Sequence, residues 1–72
     1  MYIFRTRAGC FFIVERSGCW HALFQDENLG SYTTPQQAAD DLAGGHTISP
    51  SSGVDTASLG ISDDISDWEL SK

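Results

Sequence analysis

His21, His46, Cys10 and Cys19 are the side chains best suited to hold a metal or move a proton, and their spacing assembles no familiar site. No Cys-x-x-Cys or His-x-x-x-His pair occurs, so local geometry fixes no pair of zinc ligands. His21 stands between Trp20 and Ala22, the setting of a packed strand histidine more than of a base that must reach a substrate. Asp63-Asp64-Ile65-Ser66-Asp67-Trp68-Glu69 is rich in carboxylates but lacks the alternate-position oxygens and central glycine of a calcium loop. Serines are frequent, yet none lies in the glycine-flanked turn of a nucleophile elbow. Gly44-Gly45 follows a helical pattern instead of opening one, which leaves no phosphate cradle. These patterns argue for a non-enzymatic protein with no cofactor and no metal.

What the sequence does concentrate is charge of one sign. Ten acids against four bases give a net charge of -6. Arg5, Arg7 and Arg16 all fall in the first sixteen residues, while Ser17 to Ser71 holds nine Asp or Glu and no Lys or Arg. Asp26, Glu27, Asp40, Asp41, Asp63, Asp64, Asp67 and Glu69 are therefore the candidate partner-binding residues. Asp40 and Asp41 fall toward a helix C-terminus, where the macrodipole disfavours an anion by about 0.3–1 kcal/mol each. An acidic coat serves solubility. It also steers association with a basic partner, and nucleic-acid-binding grooves, built to meet one phosphate charge per about 1.7 Å of duplex axis, are the commonest large basic targets.

The elements that must position these residues follow from local patterns. Tyr2 to Arg7, Cys10 to Glu15 and Cys19 to Gln25 read as β-strands, separated by Ala8-Gly9 and by the turn Ser17-Gly18. Leu29 to Tyr32 either continues the third strand or forms a short fourth one. Thr34 caps a helix, Pro35 suits its first position and Gln37 completes a Thr-x-x-Gln capping box. Pro35, Ala38, Ala39 and Leu42 share one face of that helix, and Gly44 or Gly45 ends it. The fold class is α+β: an antiparallel sheet of three to four strands with one packed helix and a C-terminal wrapping segment. Residues 1–45 form the β-β-β-α core, 46–58 a Ser/Gly/Pro-rich loop, and 59–72 an acidic segment packed on the core. Trp68 and its aliphatic neighbours are too apolar for a free tail, and the sheet face opposite the helix is the predicted dock.

Size and composition bound the rest. Seventy-two residues make one domain, which buries only about 60% of its unfolded surface. The start of the chain lacks the features of a secretory signal and no apolar run reaches membrane-span length, which points to a cytoplasmic protein with reduced cysteines. In the expected hairpin Cys10 and Cys19 lie roughly 15–17 Å apart, beyond disulfide reach.

Trp20 to Phe24 followed by Leu29 to Ala39 resembles the strand-to-helix step of sheet-plus-helix domains of the plant AP2 type and of integrase arm-binding domains. Those families read DNA with Arg and Trp on the sheet. Here the matching strand offers His21, Leu23 and Gln25, so DNA binding is not carried over. The run from Trp20 to Gly45, with Ser52 to Thr56 and Trp68-Glu69, is also similar to short uncharacterised bacterial proteins. As a class, tiny acidic domains resemble phage inhibitors such as anti-CRISPR proteins and other DNA mimics. The function expected is that of a small acidic inhibitor bound to a basic, nucleic-acid-binding surface of a larger protein. The alternative is a housekeeping interaction module of a bacterial cytosolic protein that uses an apolar surface such as that around Leu23. A third option is direct nucleic-acid binding through Arg5, Arg7 and Arg16.

Overall fold

Alternation from Tyr2 to Tyr32 resolves into a four-strand antiparallel meander: β1 (Tyr2–Thr6), β2 (Gly9–Arg16), β3 (Cys19–Phe24) and β4 (Glu27–Tyr32). The computed structural model describes residues 1–48 and 50–71. The β2–β3 hairpin closes through Ser17 and Gly18, both at positive φ (55° and 80°). That geometry gives a two-residue turn whose twist matches the strands. A helix, α1 (Pro35–Gly44), then crosses one face of the sheet, and β5 (Glu69–Leu70) pairs with β1 at the far edge, giving the order β4-β3-β2-β1-β5. The sheet thus has five strands where the sequence predicts three to four. The extra one is two residues long, too short to show alternation, and only its partner β1 defines it.

The period-two pattern sorts the strand residues between two faces. Phe11, Ile13, Ala22 and Phe24 point to the helix and meet Ala38, Ala39 and Leu42, all three fully buried, with Leu29 beside them. The two alanines let the helix backbone come close to the sheet. Phe11 and Phe24 lie side by side across β2 and β3, their ring centres 4.6 Å apart. Thr34 caps the helix by accepting from the Gln37 amide at 3.2 Å. The Gln37 side chain departs from the predicted capping box. Its Oε1 accepts from the Thr33 hydroxyl at 2.7 Å and the Thr33 amide at 3.3 Å, one residue earlier than expected.

The C-terminal segment runs along the helix layer. Ile61 and Trp68 are buried in the main core, and the Trp68 ring packs against Phe4 at 5.3 Å. This corrects the expectation that the segment docks on the opposite face of the sheet. Gln36 of α1 supplies the reason: its amide donates to the Asp63 carbonyl and its Oε1 accepts from the Ile65 amide at 3.1 Å. The strap is thereby held on the helix side, between two short 3-10 turns at Thr56–Ser58 and Ile65–Asp67. Among the described residues, no helix is long and apolar enough to cross a membrane.

Candidate functional site

Once the strands are sorted by face, the charges sort with them. Glu15 and Glu27 register opposite Trp20 and Phe24 on the helix side of the sheet. Asp40 and Asp41 lie on α1, while Asp55, Asp63, Asp64 and Asp67 belong to the segment packed against it. Arg5 and Arg16 alternate onto the other face, and so does Glu69, which registers with Ile3 and forms an ion pair with Arg5 at 2.6 Å. Asp26 sits in the exposed β3–β4 turn.

The eight candidate acids are not equivalent. Glu27 is committed to the loop that follows the helix, accepting from the Ser51 amide through both carboxylate oxygens at 3.0 Å. Asp64 caps the second 3-10 turn, and the amide and hydroxyl of Ser66 hold its carboxyl below the usual range. Asp67 accepts from the Ser62 hydroxyl at 2.6 Å. Glu69 is neutralised by Arg5 on the far side of the sheet. Asp40, where Gln36 donates to its carboxylate at 3.2 Å, and Asp63, whose carbonyl meets the same Gln36 side chain, are brought together at the seam of helix and strap. Asp41 is half-buried beside Tyr32. Asp40, Asp41 and Asp63 are therefore the helix-layer candidates that no turn cap, loop anchor, serine hydroxyl or ion pair engages, Asp40 and Asp63 being exposed and Asp41 half-buried.

Tyr32 registers the Asp41 charge. Burial first, and the neighbouring carboxylate second, push the phenol up to about 12. An unfolded chain loses this proton near pH ~10. The sign follows from linkage: the contribution is intact below pH ~10 and is lost as the pH rises toward 12, because the unfolded state releases its proton first. Solvent screens this partly exposed pair, so the loss is a modest part of the total stability. Denaturant titrations across that range should show wild-type stability falling with a slope that Tyr32→Phe flattens. Parallel curves for the two proteins would remove Tyr32 as the cause.

One polar cluster has no counterpart among the sequence motifs. The Ser31 hydroxyl lies 2.9 Å from His21 Nδ1, and the Asn28 amide nitrogen lies 3.1 Å from the same atom. Asn28 Oδ1 accepts from the Gly30 amide at 2.9 Å, which turns its NH2 group toward the ring. That NH2 group can only donate, so His21 Nδ1 is its acceptor. A serine beside a histidine resembles a nucleophile and its base, but catalysis also needs a group orienting the other ring nitrogen. Among the described residues none of the hydrogen bonds reaches Nε2. The only signal for the cluster in the sequence is the pairing of β3 with β4, which sets His21 opposite Ser31. Cys10 and Cys19 are free thiols, and among the described residues no three His, Cys, Asp or Glu side chains converge as metal ligands.

The molecule is thus a two-layer α+β domain with an acidic helix layer and a bare sheet face. No protein-family model, curated protein or solved structure matches this chain.

Proposed function

We propose that this chain is a non-enzymatic inhibitor whose acidic helix layer occupies a basic, nucleic-acid-binding surface of a larger protein. The observation that supports this reading is the segregation of charge: eight of the ten carboxylates lie on the helix side, while Arg5 and Arg16 lie on the other and, of the three arginines, Arg7 alone reaches the helix side, donating to the Ser58 carbonyl at 3.2 Å. Acids serving solubility alone have no reason to gather on one layer. A layer dominated by one sign raises the encounter rate with a surface of the opposite sign and rejects partners of its own.

The test is association of the immobilised chain with bacterial lysate proteins at low and at high salt, for the wild type and for Asp40→Lys, Asp41→Lys and Asp63→Lys combined. At ~0.2–1 kcal/mol per exposed pair, losing three attractive contacts weakens binding about 3- to 150-fold, and the new repulsions add to this. The wild-type complex should weaken with salt and the triple variant should lose it at low salt. Circular dichroism checks the fold, which should survive because cations suit the end of α1 better than anions do, offsetting the loss of the partly exposed Asp41–Tyr32 hydrogen bond, and Asp63 is exposed. Binding that ignores both the salt and the reversals would refute the reading.

A further inference from the structure

The face of the sheet turned away from the helix is apolar at its centre and covered by nothing among the described residues. Ile3, Cys10, Phe12, Val14 and Leu23 alternate onto it. None of the five belongs to the core or to the partly buried shell packed against the core. They are only half-buried, shielded sideways by one another. Phe12 sits near the middle of β2, the central strand of five. Polar groups ring the patch, with the Arg5–Glu69 ion pair toward one edge and the His21–Ser31–Asn28 cluster toward the other. An apolar centre inside a polar rim is the anatomy of a protein interface.

We propose that this face is where two copies of the chain pack, sheet against sheet. Three observations favour a second copy. The first is area: strands of five, eight, six, six and two residues, at ~3.3 Å rise and ~4.8 Å spacing, make a face of roughly 430 Å². Two such faces bury roughly 860 Å² in total, below the ~1,000 Å² of a stable complex and the size of a weak, reversible contact between copies.

The second is charge. Two chains of net charge -6 repel unless their acidic layers stay apart, and packing the bare faces together puts those layers on opposite outer surfaces. A two-fold axis near Phe12 stacks that ring on its mate and lays polar rim over polar rim, including a rim that carries both signs in Arg5 and Glu69. Such self-complementarity is what an isologous contact requires.

The third is that association through the β4 edge is obstructed. Asn28 Oδ1 takes the Gly30 amide and the Ile48 amide donates to the Leu29 carbonyl at 3.1 Å, so those backbone groups are not free to pair with an added strand.

Sedimentation of the purified chain over a wide concentration range tests this. An interface this small should give a dimer that forms reversibly in the micromolar to millimolar range. Phe12→Glu and Leu23→Glu, each placing a charge at the patch and away from the core, should sediment as monomers throughout. The Asp40, Asp41 and Asp63 reversal should dimerise as the wild type does, which separates this contact from the acidic-layer reading. Wild type that stays monomeric overturns the proposal, whether or not either glutamate variant folds. So does a dimer that persists in a folded glutamate variant.

Discussion

Replacing Trp68 with alanine should lower the melting temperature by about 15 °C or more. The residue is 4% exposed, its ring packs on Phe4, and its indole N–H donates to the Ser62 carbonyl at 3.0 Å. Truncating a buried tryptophan to alanine costs ~3–5 kcal/mol. At roughly 0.05–0.15 kcal/mol per residue the whole domain holds about 4–11 kcal/mol, so one side chain accounts for a large share of it. Each kcal/mol shifts the midpoint of a domain this size by about 4–8 °C. Trp68→Phe keeps most of the packing and loses the donor, leaving the Ser62 carbonyl to water, and should cost about 1 kcal/mol. Truncation after Ser58 also removes Ile61, β5 and the Gln36 bonds to the strap, and should destabilise more than the point variant. Thermal melts followed by circular dichroism measure all three. A Trp68→Ala protein that melts with the wild type would mean that the strap does not contribute to the core.

The strap also shows where the sequence stops being informative. Thr34, Pro35 and Leu42 act through neighbours three to seven residues away, so cap, first turn and buried stripe are legible in the order of the residues alone. The hairpin around Ser17-Gly18 is legible for the same reason. The side on which Trp68 lands depends on Gln36 reaching Asp63 and Ile65 nearly thirty residues later, and nothing local encodes that. The candidate acids divide in the same way. Their number is plain from the sequence, but the capping role of Asp64, the anchoring of Ser51 by Glu27 and the placing of Glu69 on the far face all depend on contacts made only by folding. His21 and Ser31 become neighbours through strand register, which the bulge at Ala22 and Leu23 leaves intact on that side.

The glycine pair that ends the helix gives the sharpest expected contrast, because local pattern leaves open which of the two adopts the left-handed conformation. It is Gly45, at φ 74°, and its amide bonds back to the carbonyls of Asp41 and Leu42. A side chain with Cβ at this φ costs about 1–2 kcal/mol. The methyl of alanine would also stand 2.9 Å from the Ala57 methyl, a neighbour without rotamers to move aside. Gly45→Ala should therefore lose about 2 kcal/mol or more and loosen the packing of the first 3-10 turn on the helix. Gly44 is the last residue of α1, where alanine fits the backbone and is favoured over glycine by up to about 1 kcal/mol. Its new methyl would meet only the exposed His46 ring, at 3.1 Å, which can rotate away. Gly44→Ala should then match or exceed the wild type in stability. Urea unfolding of the two variants decides between the positions: equal losses at both would contradict the assignment of Gly45 as the single left-handed residue that stops the helix.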